Sequence, residues 1–217
     1  MTITLHDSVR PLVVLGIVEV REASLAASAD LDREIESQFA DLRRRFQGAT
    51  AGEIPHLAAA RVLYRSLGID PTKHRPSPEA LLRRVLRGDA FPRIHPAVDL
   101  ANLWAVLHGL PVGLYDLARI EGPIELRRGH AGESYQGIRK DEVHLEGRLT
   151  LADARGPFGN PTSDSLRTAV GANSRDLLFV LFAPRSHDRG EITRWLEWLR
   201  ERAERLFGGR ASVRPSC

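Results

Sequence analysis

The pattern of apolar and polar positions changes period several times along the chain, and each change predicts an element. Residues 12–20, LVVLGIVEV, are almost continuously apolar and rich in β-branched side chains, which predicts a central strand covered on both faces. From Asp30 the period lengthens. Leu31, Ile35, Phe39, Leu42 and Phe46 recur at three- and four-residue steps, predicting an amphipathic helix with Asp30 as N-cap and Gly48 as its stop. A second helical stretch runs from Ile54 to Leu67, closes at Gly68 and gives way to the turn-rich IDPTKHRPSP. Ser77 then stands as the N-cap and Pro78 at the first position of a helix, continued by EALLRRVLRG to Gly88.

The segment from Val98 to Asp116, VDLANLWAVLHGLPVGLYD, joins an apolar helical pattern to a turn and carries single polar residues inside both. Asn102 lies among Val98, Leu100, Leu103, Val106 and Leu107, and a buried amide must find partners, from the core itself or from a ligand. Gly113, between Val112 and Leu114, permits close backbone approach, or simply serves the turn. Short strands follow near Ile124 to Arg127 and Leu149 to Ala152, with the GHAGE segment as a turn between strands. A polar loop, ARGPFGNPTSDSLRT, precedes the buried strand LLFVLF, Leu177 to Phe182. The last helix, Glu191 to Phe207, aligns Ile192, Trp195, Leu196, Leu199, Ala203 and Leu206, so its tryptophans read as core packing rather than a base-stacking platform. One domain over residues 1–208 is expected, with residues 209–217 a flexible tail.

With 217 residues and 42% hydrophobic content, the chain can bury a sizeable core. Its net charge of +3 is unevenly placed: residues 61–93 hold eight Lys or Arg against three acids, a local +5, so the rest sums to −2. That concentration suits either a phosphate footprint or a solvated arginine-rich helix face. The single cysteine, Cys217, rules out an intrachain disulfide and fits a reducing, cytoplasmic setting. The apolar run from Val13 to Val18 is too short to span a bilayer, and neither a signal segment nor a membrane partner is expected.

The eight histidines are scattered, with no HExxH and no helical pairing, so no metal is expected. Dinucleotide, P-loop and nucleophile-elbow motifs are missing too, and nothing calls for a cofactor. What remains is a polar set: Asn102, Asp116, Arg127, Glu133, Asp153, Asn160, Thr162, Ser163, Asp164, Arg167 and Thr168. Such residues suit ligand positioning better than covalent catalysis, while Ser, Asp, Asn and Pro also make turns unaided.

Taken in order, LYRSLGIDPTKHRPSPEALLRRVLRG, HPAVDLANLWAVLHGLPVGLYDLARIEGPIELRRGHAGESY, EGRLTLADARG and SDSLRT resemble the tRNA-editing domain in the beta subunit of phenylalanyl-tRNA synthetase, in its stand-alone form. The resemblance spans Leu63 to Phe182. It implies a mixed α/β (α+β) fold with β-sandwich-like sheet layers flanked by helices. It also implies a substrate class, mischarged aminoacyl-tRNA, whose ester is hydrolysed in trans by a positioned water, the partner being the tRNA acceptor end with its amino acid.

Under the resemblance Asn102 matches the Asn of the family's VD-x-x-N motif, and Asn102, Ser163, Asp164 and Thr168 are the expected catalytic group. Gly113, Tyr115, Asp116, Arg127, Glu133 and Asp153 are expected to line the substrate pocket, and Lys73, Arg75, Arg83, Arg84 and Arg87 to hold phosphates. Gly113 stands where synthetase members usually have His, and an acidic residue is replaced near Val180. Two alternatives stay open: a non-catalytic tRNA- or RNA-binding module, and a sensor of a free amino acid or similar small molecule.

Overall fold

The computed structural model describes residues 2–50, 53–138 and 141–215. In chain order its elements are β1 (Ile3–Leu5), β2 (Val13–Arg21), α1 (Ala29–Arg45), α2 (Ala58–Ser66), α3 (Ser77–Arg87), α4 (Pro96–His108), β3 (Val112–Asp116), β4 (Ile124–Arg128), β5 (Ser134–Gln136), β6 (Glu142–His144), β7 (Leu149–Asp153), β8 (Gly156–Asn160), β9 (Ser163–Asp164), β10 (Leu177–Pro184), α5 (Arg189–Phe207) and β11 (Arg210–Pro215). The strands form a four-stranded sheet, β11-β2-β10-β3, a five-stranded sheet, β1-β4-β7-β8-β9, and the small β5-β6 pair.

Continuous apolarity in β2 and β10 has a direct cause. The two strands pair antiparallel from Leu177↔Val20 to Pro184↔Val13, and successive side chains point to opposite faces. Val14, Val18, Leu177, Phe179 and Leu181 face a core shared with α1, α3, α4 and α5. Leu15, Ile17, Leu178, Val180 and Phe182 face a second core completed by Ile124, Leu126, Leu151 and Phe158 of the five-stranded sheet. The result is three layers: helices, the four-stranded sheet, and the five-stranded sheet. This is the mixed α/β sandwich that the sequence resemblance implies. Helix α2 adds Leu63 and Leu67 to the core between the sheets.

Several local expectations are corrected. Ser28, not Asp30, caps α1, its side chain accepting from the Leu31 N–H at 3.3 Å, which leaves Asp30 and Asp32 inside the positive first turn. Pro76 is the cap residue of α3 and Ser77 the first helical residue, with no side-chain cap bond. The stretch opening at Ile54 begins with a 3₁₀ turn, Pro55–Leu57, before α2. The GPFGN part of the polar loop is strand β8, paired to β7 through a register shift at Leu151 and Ala152; its Gly and Pro content hides the strand pattern.

The largest correction concerns the tail. Residues Arg210–Pro215 form β11, antiparallel to β2, with Ala211↔Val20 and Val213↔Val18. Gly208 and Gly209, with φ +64 and +73, turn the chain back from α5, and a Cβ at Gly209 would lie 2.1 Å from the Arg21 carbonyl oxygen. The open edge of β2 recruits a segment too polar to announce itself. Cys217 lies outside the described residues.

No described helix is long and apolar enough to cross a membrane. The tryptophans of α5 pack inward: Trp104 Nε1 donates to the Trp195 carbonyl at 3.1 Å, and His108 stacks on Trp195 at 4.7 Å. Burial lowers the His108 pKa to about 3, with the positive charges of His56 and Arg202 acting in the same direction. Folding therefore keeps this ring neutral while the unfolded chain takes up a proton, so stability is present above about pH 6.5 and is lost as pH falls toward about 3. From pH 7 to pH 5, before most carboxylates titrate, urea unfolding of the protein should lose about 1–2 kcal/mol through this one group. In His108→Phe that part of the pH dependence should vanish; an unchanged dependence would show that His108 is not the source.

Candidate functional site

The polar loop that reads as turn chemistry in the sequence is held more tightly than turn chemistry requires. Asn160 Oδ1 accepts from the Thr162 N–H at 2.8 Å, the Thr162 hydroxyl at 2.7 Å and the Ser163 N–H at 2.9 Å, closing a turn around Pro161. All three tyrosines of the chain then place their hydroxyls on the four residues that follow. Tyr64 from α2 donates to the Pro161 carbonyl at 3.1 Å, Tyr135 from β5 to the Ser163 carbonyl at 2.5 Å, and Tyr115 from β3 to Asp164 Oδ1 at 2.7 Å. Burial raises the pKa of each phenol, and for Tyr115 and Tyr135 the Asp164 charge raises it further, so all three stay protonated donors.

This segment is one wall of a cleft of about 650 Å³. Thr162 and Ser163 face it from the wall, Tyr64 from α2, Leu67, Ile69, Asp70, Lys73, His74 and Arg75 from the segment that follows, and Ser77 from the start of α3. Glu146, Gly147, Arg148 and Leu149 close the far side from the turn into β7. That turn is pinned by Arg148 N–H to the Leu145 carbonyl at 2.8 Å and by Arg128 Nη1 to the Gly147 carbonyl at 2.7 Å. An Asx turn, Asp70 Oδ1 accepting from the N–H and hydroxyl of Thr72, shapes the basic loop and holds the Asp70 carboxyl below its usual pKa.

Of the residues expected to act, the cleft gathers Ser163, Lys73 and Arg75. Asn102 is half-buried on α4, makes no side-chain hydrogen bond among the described residues, and does not line the cleft. Thr168 is fully buried in a 3₁₀ turn, its hydroxyl without a hydrogen-bond partner among the described residues, and it does not line the cleft. Asp164 points away from the cleft wall toward Tyr115.

Gly113 and Gly159 explain one another. A Cβ at Gly113 would lie 2.1 Å from the Tyr115 oxygen, and one at Gly159 would lie 2.2 Å from it, so glycines on two different sheets leave the slot that the Tyr115 ring fills. Tyr115 is fully buried and meets Phe158 edge-on at 5.0 Å. The space expected to receive a substrate side chain beside Gly113 holds Tyr115. Val180, paired opposite Gly113, is fully buried in the core between the sheets.

The other expected pocket residues are satisfied within the fold. Asp116 accepts from Ala118 N–H at 3.0 Å and the Ser174 hydroxyl at 2.6 Å. Arg127 grips Glu133 through two 2.7 Å bonds, which hold the Glu133 carboxyl below its usual pKa. Burial alone would raise the pKa of Asp153, but Arg167, at 2.9 and 3.1 Å, and the Glu121 N–H lower it. The arginines divide likewise. Arg83 and Arg75 approach buried Glu79 at 3.2 and 3.7 Å beside its bidentate partner Arg61, Arg84 donates to the Ala90 carbonyl, and Arg87 pairs with Asp89.

The sequence reading passed over Tyr64, Asp70, His74, Glu146 and Arg148 as site residues. No sequence pattern links Tyr64, Asp70 and His74 to Glu146 and Arg148, which come from a distant part of the chain. Among the described residues no group of three or more His, Cys, Asp or Glu could hold a metal ion.

Comparison with known proteins decides the family. The model of the B3/4 domain matches residues 59–190, more than half of the chain. The chain belongs to the B3/4 domain family. It is similar to the phenylalanine–tRNA ligase beta subunit of Streptomyces avermitilis, 33% identical over 93 residues, covering 42% of this chain and 11% of that protein. It is also similar to the beta subunit of Nocardia farcinica, 31% identical over 130 residues, covering 59% of this chain and 15% of that one. The B3/4 domain thus spans a small part of the relatives it matches. An N-terminal fragment of the phenylalanyl-tRNA synthetase beta subunit from Pyrococcus horikoshii superposes with a TM-score of 0.47 at 14% identity, covering 97% of this chain and 50% of that one.

The Tyr115 anchor predicts a measurable cost. Tyr115→Phe removes only the hydroxyl that serves Asp164 and should cost about 1–3 kcal/mol in chemical unfolding. Gly113→Ala and Gly159→Ala, which press a methyl against the same oxygen, should each cost about 1–3 kcal/mol. A wild-type midpoint in all three would show that the slot is not tight.

Proposed function

We propose that this B3/4 domain binds the aminoacylated acceptor end of a tRNA in the cleft and hydrolyses its ester in trans. The observation that carries the reading is the meeting of a rigid hydroxyl wall, Thr162 and Ser163, with Lys73, His74, Arg75 and Arg148 in one cavity. Its relatives being tRNA ligase subunits supports the substrate class. Cations there supply sequence-independent phosphate affinity, and a wall fixed by three phenols holds a water or an ester at constant geometry.

Ser163 is a positioning group in this scheme. Its hydroxyl donates to the Thr162 carbonyl at 2.8 Å, so its proton is not shared with a general base as in a covalent mechanism. His74 is the histidine that lines the cleft, and imidazole is the side chain suited to accept a proton from water near neutral pH. The vicinal hydroxyl of the terminal ribose is a second proton acceptor at hand in the substrate.

A panel of tRNAs charged with different amino acids tests the reading directly. Release of at least one amino acid is expected, with His74→Ala lowering kcat by about 10²–10⁴ and Lys73→Ala weakening tRNA binding and reducing the salt slope by about one. A second reading, binding without hydrolysis, is favoured by Val180, a buried apolar residue where the resemblance expects an acidic one. Salt-sensitive tRNA binding with no release across the panel would select it; neither binding nor release would overturn both.

A further inference from the structure

The charged side chains that line the cleft are exposed and carry both signs. Half-buried Arg61, Arg127 and Arg167 take the carboxylates of Glu79, Glu133 and Asp153 as partners. In the cleft, Lys73, Arg148 and Glu146 make no side-chain hydrogen bond or ion pair among the described residues, although all three line one cavity. Lys73 stands on the loop after α2, and Glu146 and Arg148 flank Gly147 on the opposite bank. Cations on both banks and a carboxylate on one, lining a cavity of about 650 Å³, suit a ligand carrying both signs. Tyr64, Leu67, Ile69 and Leu149 give the same cavity an apolar lining for a flat or aliphatic group.

Resting on the acceptor-end reading, we infer that Glu146 takes the free α-ammonium group of the esterified amino acid while Lys73 and Arg148 take the terminal phosphate. The cleft thereby selects aminoacyl esters with an unblocked amine and rejects N-acylated ones. An α-amino group has a pKa of roughly 7.7–8.0 and is mostly cationic at neutral pH. Acylation converts it into a neutral amide, which leaves the Glu146 carboxylate without a counter-charge. Phosphate contacts are common to both substrates, so discrimination falls on the carboxylate alone.

The test uses stable amide analogues and the full chain. Calorimetry compares adenosine 5′-phosphate, 3′-deoxy-3′-(L-alanylamino)adenosine 5′-phosphate and the N-acetyl form of that analogue. The expected result is binding of the free-amine analogue at least tenfold tighter than of its N-acetyl form. Glu146→Gln should narrow that ratio below about threefold, and Lys73→Ala should weaken both analogues and adenosine 5′-phosphate together. Equal binding of the two analogues by the unaltered protein, or an unchanged ratio in Glu146→Gln, overturns the assignment to Glu146 and leaves the acceptor-end reading standing. Failure of all three compounds to bind overturns that reading with it.

Discussion

The pairing of β2 with β10 is the constraint on which the rest of the molecule depends. Both strands are apolar on both faces, and such a pair is stable only when something dry covers each side. Helices α1, α3, α4 and α5 cover one side and the five-stranded sheet covers the other. Each remaining strand finds its place relative to that pair. β3 and β11 extend it at the two edges, and the connection through β3 brings Tyr115 into the gap between the sheets.

The gap between the sheets also shapes the wall of the cleft. A tyrosine as large as Tyr115 fits between two sheets only because Gly113 and Gly159 withdraw their side chains from opposite sides of it. Its hydroxyl, buried from water, needs an acceptor, and Asp164 supplies one. Tyr64 and Tyr135 do the same for neighbouring carbonyls. The hydrogen-bonding needs of three buried phenols thus hold residues 161–164 in place and make one wall of the cleft stiff, as a site working by positioning requires.

Charge follows a similar logic. The local excess of cations in residues 61–93 does not form one patch. Buried Glu79 draws Arg61, Arg75 and Arg83 toward itself, and the end of α3 uses Arg84 and Arg87 on Ala90 and Asp89. Lys73, on the loop before α3, takes no part in this pairing and lines the cleft with Arg148 and Glu146 from a distant part of the chain. A count of basic residues therefore does not reveal that Arg75, Arg83, Arg84 and Arg87 are engaged within the fold.

The sequence alone determined the layers. The apolar runs Leu12 to Val20 and Leu177 to Phe182, and the helical periods of α1, α3, α4 and α5, are local patterns that solvent exclusion reads directly, and the ordered motifs from Leu63 to Phe182 carried the family. Strands β8 and β11 were hidden, because Gly, Pro and charged residues pair only when a neighbouring strand offers an edge. Among the residues lining the cleft, Ser163, Lys73 and Arg75 stand out in the sequence as residue types in polar stretches, whereas Tyr64, Glu146 and Arg148 do not, being joined by no sequence period. Only the tertiary structure decided that Gly113 makes room for the chain's own Tyr115, and that Asp116, Arg127, Glu133 and Asp153 are partnered within the fold. The physical reason is the same in each case. A side chain's chemistry is written in its own residue, but whether that chemistry is free to meet a ligand depends on neighbours that the sheets bring from far along the chain.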